Sequence, residues 1–165
     1  MFSVAVLTLS DKGARGERVD VSGKVLAEVL ASISGHVEKY EVIPDDRDLI
    51  QEKLIYYADQ LGVDVIATTG GTGVGPRDVT PEATRAVIEK EIPGMAEAMR
   101  AAGLRKTPLA MISRALVGCR GKTLIINLPG SPKGVRENLE AILPAIPHAV
   151  EKLKGDPTDC VVPGT

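Results

Sequence analysis

Apolar positions along the chain alternate between short continuous runs and longer stretches with helical spacing. Phe2 to Leu9 is apolar on both faces, which is typical of a buried parallel strand. Further strands are predicted at Val37 to Ile43, Val63 to Thr69 and Lys122 to Leu128. Because the strands alternate with helices, the pattern predicts one α/β domain over residues 1–165, with a mainly parallel sheet covered on both faces.

The segments between these strands carry apolar residues at helical spacing. Helices are therefore predicted over 21–33, 48–61, 81–90, 95–104 and 132–143, and the small apolar residues of 108–119 also favour a helix. Thr80 is expected to cap the third of these helices, with Pro81 as its first residue. A further turn is expected to end near Lys154, followed by an irregular tail from Gly155.

Composition limits the classes of partner. The chain has three Tyr, one Phe and no Trp, so its core must be aliphatic, and a base-stacking surface for nucleic acid is not expected. The formal net charge of −2, without long runs of like charge, argues against non-specific binding to DNA or to an anionic membrane. The first apolar run stops at Asp11, and no stretch approaches ~18 apolar residues, so neither a signal peptide nor a membrane span is expected.

Cysteine and histidine offer no obvious chemistry. Cys119 and Cys160 belong to no CxxC pattern, and we expect two reduced thiols in a cytoplasmic protein. His36 and His148 have no partner at metal-ligand spacing and are expected at the surface or its boundary. Without a GxSxG elbow, an HExxH motif or a Cys-His pattern, the sequence predicts no covalent nucleophile.

Polar and glycine-rich segments follow the predicted strands. They begin at Ser10, at Pro44, at Gly70 and at Pro129. Because ligands of open α/β sheets bind beyond the carboxyl ends of the strands, we expect these four loops to converge on one site.

The loop after the third strand contains Gly70, Gly71 and Gly73 in a GGxGxG pattern. Such glycines allow positive φ and let backbone N–H groups approach phosphate oxygens. The pattern is neither a Walker A motif nor GxGxxG. The alternative is a turn that needs left-handed residues, although few turns need so many glycines.

Charged residues near this loop fit phosphate chemistry. Arg77 could neutralise phosphate, and Asp78 could coordinate a Mg²⁺ ion that bridges phosphate oxygens. Alternatively, Arg77 and Asp78 form a surface ion pair of little stability. Asp45 lies nearest its strand end and is the better catalytic candidate of the pair Asp45 and Asp46, while Asp46 or Asp48 can cap the next helix.

Pro129-Gly130-Ser131-Pro132 precedes a helix that carries Lys133 near its start. A helix N-terminus with a hydroxyl and a cation suits a phosphate or a polar ring. A plain strand–helix turn with Pro at the first helical position explains the same residues nearly as well. From the residues alone, the prediction is a domain that binds a polyphosphate or a phosphorylated small molecule, with aspartates available for Mg²⁺.

Several stretches together resemble the molybdenum-cofactor biosynthesis family. The "TGGTG" and "PRDVTP" strings are highly specific, and the resemblance covers nearly the whole chain. The stretches that carry it are 8–23, 68–84, 93–100 and 126–146, with Ser113-Arg114.

The resemblance implies a three-layer α/β/α sandwich of the molybdopterin-binding type, assembled as a homotrimer. Adenylyltransferases of this family use Mg²⁺-ATP to transfer AMP to the terminal phosphate of molybdopterin and release pyrophosphate. A molybdenum insertase then uses the product. The expected mechanism is in-line attack by the molybdopterin phosphate on the α-phosphorus of ATP, which needs no protein nucleophile.

By position, the resemblance assigns roles to individual residues. Asp45 and Asp78 match the acidic positions essential to the chemistry and are expected to hold Mg²⁺. The substrate-binding positions are expected to be Ser10, Asp11, Asp20, Gly23, Gly70, Gly71, Thr72, Gly73, Arg77, Ser113, Pro129, Gly130, Ser131, Pro132 and Lys133.

Two other functions stay open within the resemblance. One is a non-catalytic carrier or scaffold trimer that only binds molybdopterin, against which the intact string from Pro76 to Pro81 argues. The other is a nucleotide hydrolase or deamidase related to competence-damage proteins, which usually carry an additional domain.

Overall fold

The computed structural model describes residues 1–158. Its strands are β1 (Phe2–Leu9), β2 (Gly35–Ile43), β3 (Val65–Thr69), β4 (Lys90–Glu91), β5 (Val117–Arg120) and β6 (Thr123–Leu128). Its α-helices are α1 (Asp11–Ala14), α2 (Ser22–Ala31), α3 (Arg47–Ile55), α4 (Thr80–Val87), α5 (Pro93–Leu104), α6 (Pro132–Ile142) and α7 (Ile146–Leu153). A π-helical turn (Tyr56–Leu61) extends α3, and 3-10 turns cover Pro108–Ile112 and Leu143–Ala145.

The six strands form one sheet in the order β2-β1-β3-β6-β5-β4. The first four strands in this order, β2, β1, β3 and β6, run parallel. At the other edge, β5 pairs antiparallel with β6, and β4 pairs antiparallel with β5. The predicted mainly parallel sheet is therefore confirmed. The loops after β1, β2, β3 and β6 all leave the sheet at the same edge, as expected for parallel strands.

Helices cover both faces of the sheet, which confirms the three-layer architecture. One buried apolar cluster joins Val4 and Val6 of β1 to residues of α2, α5, α6 and α7. The other joins Ala5 and Leu7 of β1 to residues of α3 and α4. Successive residues of β1 thus point into opposite cores, which explains why this strand carries apolar residues on both faces.

A buried amide connects the two central strands to a helix. The Asn127 side chain in β6 donates from Nδ2 to the hydroxyl of Thr68 in β3 at 3.1 Å and to that of Thr84 in α4 at 2.9 Å. Its Oδ1 accepts from the Leu116 N–H at 3.4 Å. Asn127 is fully buried, so these partners replace the water that its amide would otherwise need.

The predicted helix over 108–119 is wrong. This segment forms the 3-10 turn Pro108–Ile112, an irregular stretch, and the strand β5, which pairs with β6. The apolar run is too short to distinguish a buried strand from a helix by periodicity, and its pairing partner follows after a two-residue turn. A Cβ on Gly118 would approach the Lys90 carbonyl of the neighbouring strand within 3.0 Å, so close strand packing requires this glycine.

Smaller differences concern helix ends. The helix predicted to reach Lys90 ends at Val87, and Lys90 belongs to β4. Thr80 is not the cap: it is the first residue of α4, and its hydroxyl donates to the Gly70 carbonyl at 2.9 Å. Asp46 does cap α3, because its carboxylate accepts the Leu49 N–H at 2.9 Å.

The remaining predictions concern cysteines, histidines and the C-terminus. Cys119 is a buried free thiol, whereas Cys160 and most of the tail predicted as irregular lie outside the described residues. His36 and His148 are exposed, as predicted. Within residues 1–158, none of the helices combines the length and the apolar character needed to cross a membrane.

Candidate active site

A cavity of about 700 Å³ opens at the carboxyl edge of the parallel strands. Each of the four parallel strands contributes residues from the loop that follows it. The contributors are Ser10 after β1, Asp45 after β2, Gly70, Gly71 and Asp78 after β3, and Gly130, Ser131 and Pro132 after β6. We call this the first cavity, and it brings together residues from distant parts of the sequence.

The glycine loop, residues 70–79, connects β3 to α4. Gly70 and Gly71 have φ of +103° and +64°, in the region that favours glycine. A Cβ on Gly70 would also come within 3.0 Å of the Leu9 carbonyl. The backbone of β3 therefore turns sharply beside β1, and both glycines line the first cavity.

Asp45 and Asp11 exchange backbone hydrogen bonds. The Asp45 N–H donates to Asp11 Oδ1 at 3.0 Å, and the Asp11 N–H donates to Asp45 Oδ2 at 3.1 Å. Burial, together with the negative charges of Asp11 and Asp78, raises the pKa of Asp45, although the Asp11 N–H and Arg77 oppose this shift. Asp45 lines the first cavity, whereas Asp11 holds its backbone from outside the cavity wall.

Asp78 faces the first cavity from the end of the glycine loop. Its Oδ2 accepts the Gly75 N–H at 2.9 Å, which leaves Oδ1 for a further ligand. The described residues contain no group of three or more metal-binding side chains. Two cavity carboxylates that repel each other suit Mg²⁺, which typically takes one or two carboxylates and completes its shell with substrate phosphates and water.

Arg77 is committed to Asp11. Its Nε and Nη2 each donate to the Asp11 carboxylate at 3.0 Å. The pair lowers the pKa of Asp11, to which the Arg77 hydrogen bonds contribute most. The Arg77 side chain is 65% exposed and does not line the cavity. A contact between Arg77 and phosphate would require it to leave Asp11.

Asp20 forms one wall of the first cavity and is held by three donors. Its carboxylate accepts the Thr8 hydroxyl at 2.6 Å, the Gly23 N–H at 2.9 Å and the Tyr40 hydroxyl. A Cβ on Gly23 would collide with the side chains of Tyr40, Asp20 and Thr8. Gly23 therefore leaves room for these contacts, although it does not itself line the cavity. The sequence offered no signal for Tyr40, because it lies on a predicted strand and reaches Asp20 across the sheet edge.

A second cavity of about 330 Å³ lies on the other side of the Pro129–Pro132 turn. Thr72, Gly73, Ser113, Pro129 and Lys133 line it, and Ser131 lines both cavities. The predicted substrate residues are therefore divided between two adjacent cavities. The rest of the wall is mixed. Half of its residues are polar or charged, namely Arg100, Lys106, Thr107, Glu137 and Asn138, and the other half are apolar or glycine, namely Gly103, Leu109, Ala110, Ile112 and Gly134.

The turn between the cavities is well anchored. The Ser22 hydroxyl donates to the Gly130 carbonyl at 2.6 Å, and the Thr69 hydroxyl donates to the Pro129 carbonyl at 2.7 Å. Ser131 caps α6 by accepting the Gly134 N–H at 3.0 Å. Ser22 also lines the first cavity, although it was not predicted as a site residue. Its position in the 8–23 stretch was the one signal that pointed to it.

Comparison with known families and proteins agrees with this architecture. Residues 5–148 match the family described as "probable molybdopterin binding domain". The molybdopterin adenylyltransferase of Helicobacter pylori strain J99 is 46% identical over 155 residues, which cover 93% of this chain and 88% of that protein. The molybdopterin adenylyltransferase of Escherichia coli K12 is 34% identical over 166 residues, which cover 92% and 85%.

Solved structures show the same similarity in three dimensions. The crystal structure of the molybdopterin biosynthesis enzyme MoaB from Thermus thermophilus superimposes with a TM-score of 0.90 and 54% identity. The superposition covers 96% of this chain and all of that one. The residues matched by the family, 5–148, include every loop that builds the two cavities.

Proposed function

This chain belongs to the family of probable molybdopterin binding domains, and we propose that it is a molybdopterin adenylyltransferase. The reaction would transfer AMP from ATP to the terminal phosphate of molybdopterin. A phosphate oxygen of molybdopterin would attack the α-phosphorus of ATP, and the bond from that phosphorus to pyrophosphate would break. Two relatives with this name match 93% of the chain at 46% identity.

One structural observation carries the proposal. Asp45 and Asp78, from loops after different strands, face the same cavity as the backbone of Gly70 and Gly71. A transfer between two phosphorylated substrates needs positioning and charge neutralisation more than it needs a nucleophilic side chain. The Gly70 N–H is committed to the Leu128 carbonyl at 3.1 Å, so the backbone donors for phosphate would come from Gly71 and the residues after it. They lie beside two carboxylates that can hold a divalent cation.

In this proposal the residues of the first cavity have three different roles: binding phosphate, holding the cation and lining the walls. Backbone N–H groups near Gly71 and the turn at Ser131 would bind phosphate oxygens, and Asp45 and Asp78 would hold Mg²⁺. A cation held there would supply positive charge that neutralises the substrate phosphates. Asp20 and Ser10 would line the walls and limit the directions from which the substrates can enter.

The second cavity would accept one of the two ring systems. It adjoins the first cavity across Ser131, so a substrate that fills it can extend its phosphate toward Asp78. Ser113 and Lys133 offer a hydroxyl and a cation for the polar edge of a ring or for a phosphate. The proposal therefore uses both cavities, with the reacting phosphates between them.

The direct test measures adenylylated molybdopterin by chromatography after incubation with molybdopterin, ATP and Mg²⁺. We expect product from the wild type and at least a roughly 100-fold lower rate from Asp45→Asn and Asp78→Asn, since each loses a charge at the reacting phosphates. Asp46→Asn is the matched control for Asp45: it changes the adjacent residue in the same way, and Asn caps a helix about as well as Asp.

The outcomes separate the proposed functions. Molybdopterin binding without product from any protein would replace the enzyme with a carrier. Product from the wild type and equally from both cavity variants would remove the two aspartates from the mechanism. Loss of product in Asp46→Asn as well would point to a general defect in folding.

The same proposal includes an assembly, a partner and a location. We propose a homotrimer that passes its product to a molybdenum insertase in the cytoplasm. Leu109, Met111 and Ile112 are each more than half exposed, which supports a protein contact on the 3-10 turn after α5. Leu109 and Ile112 also line the second cavity, so this contact would lie beside the cavity. Light scattering on the eluted protein would test the trimer, and a monomer at micromolar concentration would contradict it.

A further inference from the structure

Arg114 forms hydrogen bonds with three residues of the glycine loop and with one residue of α4, the helix that follows the loop. Its Nε donates to the Gly73 carbonyl at 2.7 Å, and its Nη2 donates to the Asp78 carbonyl at 2.8 Å. Its Nη1 donates to the Glu82 carboxylate in the first turn of α4. The backbone N–H of Arg114 also donates to the Thr72 carbonyl at 2.8 Å.

These contacts hold both ends of the exposed part of the loop. Gly73 and Asp78 bracket four residues, 74–77, that are all exposed and therefore gain little from burial. Inside the bracket, the Asp78 N–H donates to the Gly75 carbonyl at 3.0 Å, and the Gly75 N–H donates to the Asp78 carboxylate. The hydrogen bonds between Gly75 and Asp78 close this turn without help from other residues. The position of the turn relative to the sheet depends on the contacts that hold its two ends.

Arg77 provides the other tether, but it reaches only the carboxylate of Asp11, whereas Arg114 also donates to two backbone carbonyls. The Arg77 side chain is 65% exposed and its partner Asp11 27%, against 36% for Arg114 and 43% for Glu82. Exposed ion pairs contribute little and are screened by salt. The planar guanidinium of Arg114 can satisfy two carbonyls and a carboxylate at once, which a lysine ammonium on its flexible stem cannot do with the same geometry.

Arg114 has no direct route to the substrates. It lines neither cavity, and its donors point at the protein backbone and at Glu82. Burial opposes ionisation of Glu82, but the hydrogen bond from Arg114, the hydrogen bond from the Glu82 N–H and the positive charges of Arg114 and Arg47 together outweigh it and lower the pKa of this carboxyl. The Arg114–Glu82 contact is therefore an ion pair at neutral pH and fixes α4 beside the loop.

We propose that Arg114 is the positioning residue of the reaction: by holding Gly73 and Asp78 it sets the Asp78 carboxylate at the wall of the first cavity. This role rests on the proposed adenylyl transfer, because it matters for chemistry only if Asp78 acts there. Arg100 extends the support: its Nη1 donates to the carbonyls of Ser113 and Ala115, on either side of Arg114, at 3.4 and 2.8 Å.

The test compares Arg114→Lys with the wild type. We expect kcat to fall at least tenfold and the Mg²⁺ concentration for half-maximal rate to rise at least threefold, while the KM for molybdopterin changes less than threefold. A displaced Asp78 explains all three, since a carboxylate misplaced by about 1 Å loses much of its catalytic effect. In Arg114→Ala, added guanidinium should restore part of kcat, whereas it should not restore Asp78→Asn.

Arg120→Lys is the matched control. Arg120 also joins a carboxylate and a carbonyl: it donates to Asp59 at 2.9 and 2.6 Å and to the Val87 carbonyl at 3.0 Å. It lines neither cavity. Its substitution should lower Tm by a similar amount and leave kcat and the Mg²⁺ dependence unchanged.

Hydrogen exchange supplies a readout that does not need the reaction. Faster exchange of the amides of residues 72–80 in Arg114→Lys, but not in Arg120→Lys, would support the positioning role. Unchanged exchange in this segment, or a fall in kcat that follows Tm without any change in Mg²⁺ dependence, would overturn it. If the wild type makes no product, the proposed function fails, and exchange alone then decides whether Arg114 holds the loop.

Discussion

The Thr80 hydroxyl occupies the space that a side chain on Gly71 would need. A Cβ built on Gly71 would come within 3.0 Å of this hydroxyl, closer than real Cβ contacts allow. The hydroxyl cannot move away cheaply, because it donates to the Gly70 carbonyl at 2.9 Å, and the Thr80 N–H donates to the Gly71 carbonyl at 3.2 Å. The start of α4 and the start of the glycine loop are therefore packed as one unit.

Gly71→Ala should thus reduce both stability and activity. It introduces a left-handed alanine, which costs about 1 kcal/mol, and a clash with Thr80 that should add roughly 1–3 kcal/mol. Gly62→Ala is the control, since Gly62 has nearly the same φ, +65° against +64°, with no atom within 4 Å of its Cβ position. Chemical denaturation should show the larger loss for Gly71→Ala, and equal losses would contradict the packing argument.

In a profile of kcat/KM against pH, the acid limb, where activity falls as the pH is lowered, should lie at a higher pH than it would if Asp45 had the pKa of an ordinary aspartate. Burial raises the pKa of Asp45, and its protonated form could not hold Mg²⁺, so activity should fall as pH drops through that raised value. Raising the Mg²⁺ concentration should move the limb to lower pH, because the cation competes with the proton. A limb that ignores Mg²⁺ would count against Asp45 as a ligand.

Two neighbours of Asp45 should move this limb in opposite directions. Asp11→Asn removes a negative charge and keeps the oxygen that accepts the Asp45 N–H, so the pKa of Asp45 should fall. Arg77→Gln removes a positive charge and should raise it. Measured profiles of kcat/KM that shift the same way for both variants would assign the limb to another group.

Glu41 should make stability depend on pH in a defined acid window. Burial opposes its ionisation, but hydrogen bonds from Lys39 and Lys53 outweigh it and lower its pKa to about 2. A lowered pKa stabilises the fold above about pH 4.5, and this contribution disappears as pH falls toward 2. Glu41→Gln should therefore lose roughly 1–2 kcal/mol at pH 6, after allowance for solvent screening, and little near pH 2.

Lys53→Gln should reproduce part of this loss, since Lys53 Nζ lies 2.7 Å from Glu41 Oε2. Denaturation at a series of pH values measures both variants. A difference between wild type and Glu41→Gln that stays constant from pH 6 to pH 2 would show that packing, and not ionisation, explains the effect.

The second cavity should reveal its occupant through KM. Ser113→Ala and Lys133→Ala should each raise the KM of one substrate about 3–10-fold, the same substrate in both cases, because a single lost polar contact is worth about 1 kcal/mol. The KM of the other substrate and kcat should change little. Steady-state rates with each substrate varied decide this, and a rise for ATP in one variant and for molybdopterin in the other would contradict a single occupant.

Sequence periodicity predicted the parts of the fold that depend on local pattern. The runs at Phe2–Leu9 and Thr123–Leu128 are apolar on both faces because each side meets a helix layer, and their loops converge because the strands are parallel. The strand Val117–Arg120 was not predicted because its apolar run is too short for periodicity to distinguish a strand from a helix, although its pairing partner is adjacent in sequence. Other features depend on distant partners: no local signal shows that Arg114 bonds to carbonyls 36 and 41 positions away.

The same limit applies to the candidate site. Residue types and the family resemblance identified Asp45, Asp78 and the glycines, but the commitment of Arg77 to Asp11 depends on how the β1 and β3 loops meet. The division of the predicted residues between two cavities depends on the turn at Ser131, which is defined by its contacts in space.

The buried amide of Asn127 also favours the correct register between the central strands β3 and β6. Thr68 pairs with Asn127 in the parallel ladder, and a slip of two residues is the smallest that keeps the same side chains facing each core. Such a slip would place Asn127 opposite Ile66 and leave its amide without acceptors in a dry interior, at a cost of about 1–3 kcal/mol. Misaligned sheets are thereby penalised during folding, and the loops that carry Gly70 and Ser131 emerge at matching heights.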